Sequence, residues 1–237
     1  MKNLWDQKTA SRLEENSLQL RVYSSQLLGL DSDLVLHGGG NTSVKLRETN
    51  IFGEEEDILY VKGSGRNLAT IDAEGFTPLR LTNIKKLAEL VHISDTMMVR
   101  EQQLAMTNPD APSPSVEALL HAIIPFSWID HTHADAVVTL TNTPKGEKLI
   151  QDVYGDRLLI IPYVMPGFKL ARKVFEITQK VDWQQYEGMI LLNHGIISFG
   201  AEAHESYERM INAVTLAEKF LKKHSSLPKN NIKKKTP

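Results

Sequence analysis

The sequence predicts one α/β domain built on a mixed or antiparallel sheet. Three observations carry that prediction. At least four short apolar runs alternate with segments of helical period, the pattern of an α/β chain. Several of those runs are joined by connections too short for a parallel crossover, which needs a dozen residues or more. The chain has 237 residues, 41% hydrophobic and 24% charged, enough for one large domain or two small ones with an ordinary globular core. No internal repeat and no linker interrupts it. Residues 1–224 are expected to form the domain, and 225–237, with its lysines and two prolines, a disordered basic tail.

Residues Thr9 to Leu30 place Leu13, Leu18, Leu20, Val22, Tyr23, Leu27 and Leu28 at helical spacing and predict a long first helix, with Gly29 near its end. His37-Gly38-Gly39-Gly40-Asn41-Thr42 leads into a short strand at Ser43–Leu46, and a second strand, Asp57–Lys62, ends in the tight loop Gly63-Ser64-Gly65-Arg66-Asn67. Pairing these strands as a hairpin brings both glycine loops to one end of a sheet. Phe76 to Leu81 predicts a further strand, and Thr82 a cap for a helix over Asn83–Val91. Arg100 to Pro114, rich in proline, predicts a loop. Pro112 to Leu140 predicts a capped helix followed at once by a strand. Beyond it come a strand at Leu158–Tyr163 and an amphipathic helix at Gly167–Lys180. Two short strands in Gly188–Gly200 follow, around an Asn193-His194-Gly195 corner, and then a last helix at Ala201–His224.

Composition removes several classes of function. The formal net charge of −2 offers no basic field for nucleic acid. The absence of cysteine excludes disulfides and thiolate metal sites, so any zinc is held by His and carboxylate. No apolar run resembles a signal peptide or approaches the roughly 20 residues of a membrane span. A cytoplasmic protein is the expectation. His37-Gly38-Gly39-Gly40 has no Gly-x-Ser-x-Gly elbow to go with it, neither glycine loop completes a dinucleotide fingerprint, and no Gly-Lys-Ser/Thr is present.

The chemistry gathers in Pro112–Leu140. Glu117 and His121 stand four apart and share a helix face, and His131 and His133 stand two apart and share a strand face. His194 follows an apolar strand, where a polar residue needs a reason. Glu117 lies next to Ser113 and Ser115 at a helix start, where free N–H groups attract anions, and the two glycine loops add more such donors. Each motif alone has a plainer reading: imidazoles satisfied by backbone, glycine turns, a serine cap. Together they describe a three-histidine metal site beside an anion pocket, with one carboxylate free to move protons for a small phosphorylated or acidic substrate.

Five motifs in order carry a resemblance: Gly40-Asn41-Thr42-Ser43-Val44, Lys62-Gly63-Ser64-Gly65, Ser115-Val116-Glu117 with His121, His131-Thr132-His133, and Asn193-His194-Gly195. Over roughly Tyr23 to Phe199 the sequence resembles the class II aldolase/adducin family, in phrasing closest to the aldolase half of rhamnulose-1-phosphate aldolase/alcohol dehydrogenase proteins. The resemblance implies a three-layer α/β/α sandwich with a central mixed, largely antiparallel sheet. It implies a zinc-dependent lyase that cleaves a ketose 1-phosphate, such as rhamnulose or fuculose 1-phosphate, through an enediolate to dihydroxyacetone phosphate and an aldehyde. His131, His133 and His194 become the zinc ligands and Glu117 the acid/base. Asn41, Ser64, Gly65 and Ser115 become the phosphate-binding set. Fuculose-phosphate aldolases often carry Ser-Ser-Glu, so Val116 removes one hydroxyl and keeps the backbone N–H. A tyrosine from a neighbouring subunit is implied as proton donor, with Tyr154, Tyr163 and Tyr207 as candidates, and a homo-oligomer, commonly a tetramer, is implied with it. The chain stops before any dehydrogenase half, so no nicotinamide cofactor is expected. Epimerases of pentulose 5-phosphates and sugar-phosphate dehydratases share the scaffold, the epimerases tending to Asp at the position of Glu117. Adducin-like association modules lose the histidines that are kept here.

Overall fold

The computed structural model describes residues 1–224. Seven strands form one sheet in the order β3-β2-β1-β4-β7-β6-β5. They are β1 (Asn41–Thr49), β2 (Glu55–Lys62), β3 (Phe76–Arg80), β4 (Trp128–Thr132), β5 (Leu158–Ile161), β6 (Gly188–Leu191) and β7 (Gly195–Gly200). Every neighbouring pair is antiparallel except β5 with β6. The mixed, largely antiparallel sheet is therefore the one expected.

Helices cover both faces. On one lie α2 (Ser17–Gly29), α6 (Asp135–Thr141), α7 (Gly146–Tyr154) and α9 (Ala203–His224), packed through Leu28, Val137, Ile150 and Met210 onto Ile190 and Ile196. On the other lie α3 (Leu81–Glu89), α4 (Asp95–Leu104), α5 (Ala118–Ile123) and α8 (Phe168–Thr178), over Leu59, Val61, Met189 and Ile197. Strand alternation does the sorting: Ile190 and Ile196 face one layer while Met189 and Ile197 face the other. The outcome is the expected α/β/α sandwich.

On the face of β4 opposite His131, the sheet holds a charge pair. Arg21 of α2, fully buried, donates to Asp130 at 2.6 Å, and Ser206 of α9 donates to the other carboxylate oxygen at 2.6 Å. The guanidinium also reaches the Ser43 carbonyl at 3.3 Å and Ser25 Oγ at 3.1 Å, so it ties α2 to β1 and β4. Removing one member of such a pair strands the other as a buried charge. Asp130→Ala is expected to lower unfolding free energy by about 3–5 kcal/mol. Urea denaturation measures it, and a loss below about 1 kcal/mol would show that the pair does not brace the sheet.

Several elements differ from the sequence expectation. The long first helix is two: α1 (Gln7–Ser11) ends before a turn, and Asn16 caps α2 by accepting the Gln19 N–H at 3.0 Å. An asparagine cap offers the backbone a fresh start that apolar spacing does not register. α3 begins at Leu81 after Arg80, so Thr82 sits inside its first turn and is not the cap. The predicted loop at Arg100–Pro114 is helical up to Leu104; α4 buries only Met98 and Gln102, too few apolar residues to show a period. β4 stops at Thr132, and the stretch to Leu140 read as strand is α6, where Ala134, Val137 and Leu140 recur at helical spacing beneath α9. The expected tail, 225–237, lies outside the described residues.

Antiparallel order brings one end of the sheet together. The start of β1 meets the ends of β2 and β4, and the end of β4 meets the start of β7. Both glycine loops, the histidines and the segment before α5 collect there.

Candidate metal centre and anion pocket

His131 is near the end of β4, opposite Asn41 of β1 and Ile197 of β7. His133 lies one residue past the strand end, and His194 in the corner between β6 and β7, where Asn193 takes φ 57°. That tight approach depends on two glycines. A Cβ on Gly195 would lie 2.4 Å from the Thr132 carbonyl oxygen, and one on Gly40, whose φ is +62°, would lie 2.7 Å from the His131 carbonyl oxygen.

The three imidazoles form a cluster with ring centroids 4.8, 5.0 and 5.1 Å apart, and each offers a ring nitrogen within 4.8 Å of the others. His131 Nδ1 lies 3.0 Å from the Ile196 carbonyl, which only accepts, so Nδ1 carries the proton and Nε2 turns a lone pair inward. His133 Nε2 stands 3.0 Å from His131 Nε2, near the roughly 3.3 Å edge of a tetrahedral nitrogen site. Glu117, 9% exposed, places Oε1 3.2 Å from His194 Nε2 and Oε2 3.5 Å from His131 Nε2. The 3.2 Å contact is not aligned as a hydrogen bond, and buried Glu117 Oε1 has no hydrogen-bond partner among the described residues. Three nitrogen donors and a carboxylate short of one partner fit a divalent cation.

The electrostatics prepare the same state. Burial, reinforced by His194 and His133 and opposed by Glu117, pushes the His131 pKa down to about 3, and burial chiefly does the same to His121, also about 3. Burial lowers His133 as well. Burial thus biases His131 and His133 toward the neutral form that metal binding requires. Burial works against a charge on Glu117, but His131, His194 and the Asn41 amide outweigh it and hold the carboxyl well below the usual carboxylate range. These depressions set the sign of acid sensitivity. The unfolded chain takes up protons on His121 and His131 as pH falls through 6.5, while the folded, metal-free protein refuses them until about 3. Stability is full above pH 6.5 and is lost below it, by about 2 kcal/mol per histidine at pH 5. Thermal melts of metal-free protein at pH 7.5 and pH 5 check this; equal midpoints would contradict it.

The residues expected to hold a phosphate lie alongside. Ser64 and Gly65 form the loop after β2, and Ser115 precedes Glu117. The Ser64 N–H is taken by the Ser113 carbonyl at 2.8 Å, so this residue offers its hydroxyl and not its amide. Ser115 Oγ accepts from the Glu117 N–H at 3.2 Å and from Asn41 Nδ2 at 3.3 Å, leaving its own proton to donate. Asn41, expected on the phosphate, gives its amide to Glu117 Oε2 at 2.5 Å and so joins the two halves of the site. His121 is turned away from the cluster and pairs with Ser43 Oγ at 2.7 Å. Of the tyrosines, Tyr154 and Tyr207 are buried with their hydroxyls on the Ala213 carbonyl and the Leu4 N–H, whereas Tyr163 is 54% exposed, two residues past β5 at the site end of the sheet. One residue was missed from sequence: Lys62, buried at the end of β2, whose place beside the site shows only in its Lys-Gly-Ser-Gly context.

A mixed sheet that gathers three histidines and a carboxylate beside glycine loops defines a protein of the class II aldolase type. The sequence profile of the Class II Aldolase and Adducin N-terminal domain matches residues 20–221, and the chain belongs to that family. A Bacillus subtilis (strain 168) protein named uncharacterized oxidoreductase YuxG is 34% identical over 221 residues, covering 93% of this chain but 32% of that protein. The chain thus spans about a third of that relative's length. The N-terminal class II aldolase domain of a conserved protein from Thermoplasma acidophilum superposes with a TM-score of 0.84 at 40% identity, covering 93% of this chain and 99% of that one. An L-fuculose-1-phosphate aldolase from Thermus thermophilus shares the fold, with a TM-score of 0.54 and 16% identity over 90% of this chain and 95% of that one. No helix among the described residues is long and apolar enough to cross a membrane.

Proposed function

We propose that this protein is a zinc-dependent lyase that cleaves a ketose 1-phosphate, such as rhamnulose or fuculose 1-phosphate, to dihydroxyacetone phosphate and an aldehyde. The observation that carries the reading is the convergence of His131, His133 and His194 on a buried, ionised Glu117 that has an open oxygen. The fold shared with an enzyme of that name supports it.

His131, His133 and His194 would hold the ion, which when bound supplies Lewis-acid stabilisation of the negative charge that develops on the ketose oxygens. Cleavage breaks the C3–C4 bond: the C4 hydroxyl gives up its proton, the electron pair stays on C3, and a proton returns to C3. Glu117 moves the proton at C3, its carboxylate held by Asn41 until substrate binds. Tyr163 is the exposed phenol at this end of the sheet for the C4 hydroxyl proton, in its own or a neighbouring subunit. Ser64 Oγ, the Gly65 N–H, Ser115 Oγ and, once freed from Glu117, the Asn41 amide would hold the phosphate. The same reading makes the protein a cytoplasmic homo-oligomer.

The test offers metal-loaded protein rhamnulose 1-phosphate and fuculose 1-phosphate, with coupled detection of dihydroxyacetone phosphate and Glu117→Gln as control. Metal-dependent release that the control lacks is expected. No release from either of them, in protein holding one ion per chain, would sink the lyase reading for these sugars and turn attention to dehydration.

A further inference from the structure

We propose that His121 and Ser43 are positioning residues for the candidate acid/base: the hydrogen bond between them fixes how helix α5 is turned about its axis, and with it where the Glu117 carboxylate lies. This rests on the role given to Glu117 in the function proposed above. Three alternate residues of β1 meet three residues of the α5 segment in order. Asn41 donates to Glu117 Oε2 at 2.5 Å, Ser43 Oγ lies 2.7 Å from His121 Nδ1, and Lys45 Nζ donates to the Ile124 carbonyl. Two residues of strand advance about 6.6 Å, and four or three residues of helix about 6 or 4.5 Å, so strand and helix stay in step over the three rungs.

The helix needs such an index. α5 has six residues, Ala118–Ile123, too few to hold a helix alone, and no side chain caps its start at Glu117. Its apolar contacts, Leu119 and Ala122 in one cluster and Leu120 and Ile124 in another, are non-directional. One residue of slip turns a helix by about 100° and would carry the carboxylate off the three histidines. The middle rung stands one turn from Glu117, with Ser43 and His121 both 0% exposed. When the Asn41 amide turns to a phosphate, this rung remains. It is a poor choice for stability alone. His121 Nε2 is buried with no hydrogen-bond partner among the described residues, a desolvation cost that a phenylalanine there would not carry. What the imidazole adds is the directional bond at Nδ1.

The test compares the parent with His121→Phe, His121→Asn and Ser43→Ala, each with its metal content and melting temperature recorded. The first readout is the Asn41 side-chain amide in heteronuclear NMR of the metal-free chain, assigned by its loss in Asn41→Asp. That amide donates to Glu117, so its resonance reports where the carboxylate lies. His121→Phe and Ser43→Ala are expected to shift it, and His121→Asn, which keeps a polar atom towards Ser43, to return it to the parent position. In turnover of metal-loaded protein the first two should lower kcat about 10- to 100-fold, the scale of a misplaced catalytic group. KM and metal content should move less than about 3-fold. An unmoved Asn41 resonance, a His121→Asn no better than His121→Phe, or a kcat within about 2-fold of an active parent would reduce the pair to packing and overturn the proposal. Should His121→Phe fail to fold, Ser43→Ala, which removes a single oxygen, carries the same expectation. A parent that cleaves no ketose phosphate fells the lyase reading, and the Asn41 resonance still decides this inference.

Discussion

His131→Ala is expected to empty the metal centre. His131 is the most buried of the three histidines, and its tautomer is fixed by the Ile196 carbonyl, so its Nε2 is held as a lone-pair donor before any ion arrives. His133 is exposed by comparison and His194 is half-buried, so neither is as tightly preset. Loss of an orienting partner to a ligand already costs 10- to 100-fold in affinity, and loss of the ligand itself should cost at least about 100-fold. After dialysis, metal content should fall from about one ion per chain to less than about a tenth of that, with activity down about 1,000-fold or more. Elemental analysis beside a melting curve makes the check. Full occupancy in folded His131→Ala protein would mean that the ion sits elsewhere.

Glu117→Gln separates binding from proton transfer. The amide has the shape of the carboxylate and can still accept from Asn41, so the local hydrogen bonds and the metal survive. What disappears is a group able to take and return a proton, a loss of about 100- to 10,000-fold in kcat. KM and metal content should move far less. A kcat within about 10-fold of the parent would assign the proton transfer to another residue.

The three-histidine cluster was legible in the sequence because its signals are local. The two-residue period of β4 points His131 to the carboxylate side, and His133, although just past the strand, continues in the same direction. The Asn193-His194-Gly195 corner announced itself as a polar break in an apolar run, and the structure gives it the positive φ such a corner needs. The surroundings of Glu117 and the glycine loops were less legible because their contacts are long-range. Asn41 and Glu117 are 76 residues apart, and nothing local says that the amide serves the carboxylate. Lys62 looks like a surface lysine until β1 pairs with β2 and sets the Gly38 carbonyl against it. Helix α6 was hidden by Val137 and Val138, whose branched side chains favour a strand; in the structure Val137 packs with Ala134 and Leu140 beneath α9.

Helix α6 begins two residues after His133, and at its far end the Thr141 carbonyl and the Asn142 side chain accept from Asn193 at 3.2 and 2.8 Å. Two histidines of the cluster that lie 61 positions apart in the chain are thus moored to opposite ends of one seven-residue helix, about 10 Å of rod. Such a rod is a gauge block. Its outer residues are free to vary, but its length is not, because one residue more or less would rotate and shift the mooring of His194 relative to His133. Among the chain's relatives, insertions should collect in the loops after α6, and the count from His133 to Asn142 should stay at ten residues inclusive wherever the metal centre is kept.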